Sequence, residues 1–381
     1  MTRYLQENSG VFFGFFQIGT MRILVACDKF KGSLTATEVC EAIAQGLWEA
    51  NPGMVVDRVP IADGGEGFSE TMMQALGGEW VECVASDALG KIREVKYALC
   101  GHVAVIEIAA AAGLAMLEEG DRDIWAASTF GVGMMMRHAV REMGATKLVI
   151  GLGGSATNDG GVGMAAALGI KFLDSDGNEL EPNPRELLRL DRIDESGVID
   201  LPEVLVACDV ENPLLGARGA SAVYGPQKGA SPEDVVQLDE ALAQLVYAAD
   251  AGKLSTIPGV GAAGGMGFGL MRFAGGKLVK GFELVAKELR LEERIKEADL
   301  VITGEGSLDA QTEEGKGPAG IAKLAKEAGK PVIAIAGRVE DGAEKMFDQC
   351  LSLCSLGLGP SECMARAAEL VRGRARELAG M

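Results

Sequence analysis

Short uninterrupted apolar runs alternate with longer segments of helical periodicity along this chain, which predicts parallel strands joined by helices. Residues 22–26 (RILVA) read as a buried strand. A helix follows, opened by the capping-box pair Thr35 and Glu38, with Val39, Ala42, Ile43 and Leu47 on one face. Residues 55–60 form the next strand and complete a βαβ start. The same grammar returns near the other end, with a strand at 299–303, a helix opened by Pro318 and stopped by Gly329, a strand at 332–336 and a fifth at 350–354.

The middle of the chain changes pattern. Residues 80–99 read as an antiparallel pair turning at 87–91, followed by strands at 103–108 and 148–150 and a helix at 129–143 between them. Ser231, Pro232 and Glu233 open a further helix whose Leu238, Leu242, Leu245 and Val246 share a face. The expected architecture is therefore α/β. A Rossmann-like parallel-sheet domain is split in sequence (21–79 and 290–381), a second α/β domain (80–289) is inserted into it, and the active site lies in the interdomain cleft. Residues 1–20 read as an upstream extension that is not part of the fold; their apolar stretch, 11–19, is too short to span a bilayer and lacks a small-residue cleavage site.

Composition narrows the chemistry. The 53 glycines in 381 residues show no collagen-like period and suit many tight strand-to-helix loops. A net charge of -19 argues against nucleic acid or an anionic membrane as partner, and a small anionic substrate then needs local lysines or a divalent cation. The eight cysteines form no CxxC pair and read as buried thiols of a reducing compartment, so the expected location is cytoplasmic. His102 and His138 lie in apolar or helical contexts and read as structural.

Polar, glycine-rich loops follow the apolar strands, where an open parallel sheet gathers its ligands. Residues 302–318 (ITGEGSLDAQTEEGKGP) bring Glu305, Asp309, Gln311 and Lys316. Residues 26–33 (ACDKFKGS) put Asp28, Lys29, Lys31 and Ser33 ahead of a helix, and 60–67 (PIADGGEG) carries Asp63, Gly64, Gly65 and Glu66. In 151–161 (GLGGSATNDGG), Gly153, Gly154 and Ser155 can form a backbone nest for an anion, with Asn158 and Asp159 just beyond. Residues 207–213 (ACDVENP) add Asp209 and Asn212, and YGPQKGAS adds Gln227 and Lys228. Taken together, these loops suggest one composite site. No GxxxxGK[ST] exists, so this is not a P-loop chain, and the GxGxxG spacing of a dinucleotide site is missing. Phosphoryl transfer needs neutralised charge, aligned oxygens and Mg²⁺ on carboxylates, and the loops supply each ingredient. The acids after the strands can equally be helix N-caps, and their spacing does not choose.

At these motifs the chain resembles the bacterial type I glycerate kinase family. The blocks DKFKGS, ADGGEG, GLGGSATNDGG, ACDVENPLLG, YGPQKGA, GAAGGMG and ADLVITGEGSLDAQTEEGKGP stand in the family's order, from about Met21 onward. Gly317 is a small departure, since a larger residue is expected between Lys316 and Pro318. The resemblance implies ATP- and Mg²⁺-dependent phosphorylation of D-glycerate, giving 2-phospho-D-glycerate and ADP. On that reading Lys29, Lys31, Asp209 and Asp309 are the catalytic candidates, with Glu305 and Asp309 as metal ligands. Asp28, Ser33, the 63–66 loop, Gly153, Gly154, Ser155, Asn158, Asp159, Asn212, Gln227, Lys228 and Gln311 would bind substrate or phosphate. The residues alone leave other readings open: a kinase for another small hydroxy acid, a non-catalytic acid or nucleotide sensor, and, more weakly, a nicotinamide oxidoreductase. They also leave monomer and homodimer open.

Overall fold

Apolar runs in the central strands and alternating apolar and polar residues in the hairpin build two sheets in this computed structural model, which describes residues 21–62, 65, 67–308, 317–340 and 342–379. Expectations for residues 1–20, Asp63, Gly64, Glu66, Asp309, Gln311 and Lys316 lie outside the described residues. The first sheet is wholly parallel, in the spatial order Gln349–Ser352, Val332–Ala336, Leu300–Gly304, Arg22–Cys27, Val55–Arg58. The strand expected at 55–60 ends at Arg58 as regular structure, although the N–H groups of Val59 and Ile61 still donate to the Val25 and Cys27 carbonyls (2.8 and 3.0 Å). Successive side chains point to opposite faces. Ile23 and Val25 thus pack under helices Ala36–Ala50 and Ala367–Ala379, while Leu24 and Ala26 join a second core on the other side. Thr35 and Glu38 form the expected capping box.

The second sheet runs Lys277–Val279, Glu203–Ala207, Lys147–Gly151, Val103–Glu107, Ile92–Cys100, Glu79–Ser86. Its first four strands are parallel, and the last two form the expected antiparallel hairpin. Asp87 fixes that turn: its Oδ1 accepts from the N–H groups of Leu89 (3.0 Å) and Lys91 (2.9 Å), and its Oδ2 from Arg93 Nε (2.7 Å).

One continuous apolar core joins the two sheets. It includes Leu24, Val301 and Ala334 of the first, Ala98, Val105 and Val149 of the second, and residues of helices Phe68–Leu76, Gly281–Glu288 and Gly317–Glu327 between them. The carboxyl ends of strands in both sheets carry the polar loops into neighbouring cavities. All eight cysteines are free thiols, with Cys208, Cys350 and Cys354 half-buried rather than buried. His138 Nδ1 lies 2.9 Å from the Tyr97 hydroxyl, while His102 is exposed at a turn. Among the described residues, no helix is long and apolar enough to cross a membrane.

Candidate active site

The strand Lys147–Gly151 ends in the turn Gly153–Gly154–Ser155, which is stitched to the neighbouring segment. Leu114 N–H donates to the Gly154 carbonyl and Ala156 N–H to that of Ala112, each at 2.8 Å. Lys228 closes the turn from the side. Its Nζ donates to Ser155 Oγ (2.8 Å) and to the Thr157 carbonyl (2.7 Å), and the side chain is only 2% exposed. Burial pushes its pKa down to about 7, against the opposing pull of the Asp159 carboxylate.

The next polar residues of the GLGGSATNDGG loop, Thr157, Asn158 and Asp159, are buried. Asp159 is fully buried and accepts from Thr129 N–H and Oγ1 (both 2.8 Å) and from the N–H groups of Gly161 and Gly163 (both 3.1 Å). Burial raises its pKa even so. Asn158, also fully buried, donates through Nδ2 to Ser221 Oγ at 2.9 Å. Asn212 donates to the Arg218 carbonyl (2.8 Å) and accepts from the Tyr224 hydroxyl (2.6 Å). All three side chains, expected at a ligand, also tie loops together, Asn158 and Asp159 through Ser221 and Thr129 from distant segments.

Behind them, Ala263, Gly264 and Gly265 are all left-handed, with φ of 54°, 67° and 86°. A Cβ at Gly264 would stand 1.9 Å from the Thr157 carbonyl oxygen, so only glycine lets the two loops meet. Gly264→Ala is expected to cost about 2–4 kcal/mol through strain and overpacking. Its thermal midpoint should fall by several degrees, and an unchanged melting curve would refute this account of the loop contact.

A cavity of about 400 Å³ opens at the turn. Gly153, Gly154, Ser155, Gln227, Lys228 and Asp209 line it, together with Leu114, Leu152, Val210 and Tyr224. Asp209 Oδ1 accepts from the N–H of Gly281, first residue of a helix, at 3.0 Å. Gly65 reaches this cavity from the loop after the strand Val55–Arg58. Loops carried by both sheets therefore share it.

The flanking residues Ile61, Ala62 and Gly67 border a second cavity of about 470 Å³, where Asp28, Lys29, Lys31 and Ser33 gather. Asp28 Oδ1 accepts from Lys29 N–H at 2.6 Å, and Ser33 Oγ donates to the Phe30 carbonyl at 3.0 Å. Gly317 explains its departure here: its φ is +43°, and a Cβ there would lie 3.4 Å from Asp28 Oδ2. Glu305 follows the strand Leu300–Gly304 directly and lines neither cavity.

Sequence reasoning missed Glu107, Tyr224, Trp80 and Lys96. Glu107 ends the strand Val103–Glu107, accepts from Ser69 N–H at 2.7 Å, and borders the lysine-lined cavity. Burial pushes its carboxyl up, although hydrogen bonds from the 67–69 backbone and the charge of Lys29 act the other way. The available signal was its place after an apolar run, like the other acids, but no glycines flag it.

A model of the glycerate kinase family matches residues 23–381. The chain belongs to the glycerate kinase family. It is 42% identical over 369 residues to the glycerate kinase of Halalkalibacterium halodurans, covering 94% of this chain and 97% of that one. It is 44% identical over 329 residues to the glycerate 2-kinase of Escherichia coli, covering 84% and 86%. A crystal structure from Salmonella typhimurium LT2 matches with a TM-score of 0.85 at 42% identity, covering 95% of this chain and 98% of that one. This glycerate kinase family member is thus a kinase enzyme for a small-molecule substrate, on a mixed α/β fold with parallel sheets.

Proposed function

We propose that the protein phosphorylates D-glycerate with ATP and Mg²⁺ in the cytoplasm, giving 2-phospho-D-glycerate and ADP. The observation that carries this reading is Lys228, a buried cation held by Ser155 and Thr157 at the wall of the 400 Å³ cavity. A buried ammonium favours one compensating anion, and glycerate brings a single carboxylate. Backbone N–H groups of Gly153–Ser155 would share that carboxylate, and Asp209, which lines the same cavity, would accept the proton of the attacking hydroxyl. The more highly charged phosphates suit the neighbouring cavity, where Lys29 and Lys31 stand together.

The lysine-lined cavity suits the phosphates of ATP. Mg²⁺ takes one or two protein carboxylates and completes its shell with phosphates and water. Glu305 emerges between two glycines at a strand end, and with Asp309 it is the proposed holder of the ion. When bound, ATP supplies the phosphoryl group and Mg²⁺ withdraws charge from it. Gly65 borders one cavity and Ile61, Ala62 and Gly67 the other, so these residues would lie between donor and acceptor. The proposal includes the division into 21–79 with 290–381 around an inserted 80–289.

Phosphorus NMR of the product from protein, ATP, Mg²⁺ and D-glycerate tests the reading. Phosphate at the 2-position is expected. A 3-phosphoglycerate signal would overturn the proposed pose, and no product at all would overturn glycerate as substrate and call for a panel of other small hydroxy acids.

A further inference from the structure

The lysine-lined cavity continues into a third, of about 440 Å³, and the two share Trp80, Lys96 and Glu107. The outer part of this trough is built on one face of the antiparallel hairpin. Alternation along its first strand puts Trp80 and Glu82 on that face, and the register sets Glu82 opposite Lys96 and Val84 opposite Glu94. Trp80 is half-buried, whereas Glu82, Glu94 and Lys96 are exposed. The Lys96 ammonium lies 4.4 Å from the centroid of the Trp80 ring, so a cation–π contact holds the ring before any ligand arrives. A ring fixed in advance loses less freedom on binding.

Charges of both signs line the trough. Lys29 and Lys31 stand at its inner end beside Asp28, Glu38, Glu70 and the shared Glu107, and Glu82 and Glu94 stand at its outer end beside Lys96. Phosphates meet the paired lysines at the first and a pair of carboxylates at the second. A nucleotide lying in the trough is therefore oriented with its phosphates inward and its sugar and base outward. Carboxylates accept hydrogen bonds from paired hydroxyls, and an indole ring offers a flat apolar surface for a base.

We propose that the outer trough is a nucleoside subsite, in which a purine base lies on the Trp80 ring and Glu82 and Glu94 accept the ribose hydroxyls. This rests on the ATP reading above and gives that nucleotide a place and a direction. It makes Trp80 a determinant of nucleotide affinity with no part in holding glycerate.

Calorimetric titration of the full chain with ADP and Mg²⁺, beside the KM for ATP and for glycerate, tests it. Trp80→Leu should weaken ADP and raise the ATP KM about tenfold, as expected for one lost base stack. The glycerate KM should stay within about twofold, and Trp80→Phe should recover most of the loss. The double variant Glu82→Ala, Glu94→Ala removes both acceptors and changes only exposed side chains, so it keeps the test available if Trp80→Leu folds poorly. It should bind ADP and 2′-deoxy-ADP alike, where the wild type prefers ADP. Unchanged ADP affinity in Trp80→Leu overturns the base assignment, and a retained preference for ADP in the double variant overturns the ribose assignment. If the wild type itself binds no ADP and transfers no phosphate from ATP, the ATP reading falls and takes the subsite with it; wild-type binding with unaffected variants would sink the subsite alone.

Discussion

Lys228→Met is expected to lower kcat/KM for glycerate about 10³-fold or more, while the protein still folds. Removing one member of a buried, hydrogen-bonded charge pair costs about 3–5 kcal/mol, which falls here on the bound substrate. The fold is spared because an ammonium whose pKa is pushed down to about 7 by burial is a burden to the empty protein. The sign of its pH dependence follows from linkage. Between about pH 7 and the unfolded value near 10.4, the unfolded chain holds a proton that the folded one has released, so stability rises with pH across that window. The Met variant should flatten that rise. A bound carboxylate favours the ammonium, so glycerate binding at pH 8 should take up a proton, visible as a difference in binding heat between buffers of unlike ionisation enthalpy. Activity within tenfold of wild type, or no proton uptake, would remove Lys228 from the substrate.

Asp209→Asn should lower kcat by about 10² or more, with both KM values changed only a few-fold, because the side chain is asked to take a proton rather than to hold a ground state. Asparagine keeps a carbonyl oxygen for the Gly281 N–H, so the helix Gly281–Glu288 retains its anchor. Steady-state rates with saturating ATP separate the two parameters. Wild-type turnover in this variant would take the base role away from Asp209.

The strands and their order of appearance were legible because burial on both faces of a parallel sheet demands continuous apolar runs, and such runs stand out beside polar loops. The hairpin turn at Asp87 and the helix start at Thr35 were legible because a short polar side chain with a local backbone partner leaves a fixed spacing. The same local chemistry explains what was not legible. Asp159 and Glu107 both follow apolar strands, yet the first is spent on four donors inside the protein and the second borders two cavities. Which way an acid turns depends on donors brought from distant segments, Thr129 for one and Ser69 for the other, and no spacing along the chain encodes them. Lys228 read as a polar turn residue, and its burial arises only where its turn meets the Ser155 loop. Trp80 and Lys96 looked like ordinary members of a hairpin, and the trough beneath them exists only once the 28–37 segment faces them.

The apolar core shared by the two sheets makes the molecule mechanically a single block. A hinge wide enough to admit ligands by swinging one sheet from the other would uncover side chains such as Phe68, Met72 and Val285, each fully buried now. At about 25 cal/mol per Å² of apolar surface, even a modest gap carries a penalty comparable to the stability of a whole domain. Ligand entry by swinging the two sheets apart is therefore disfavoured.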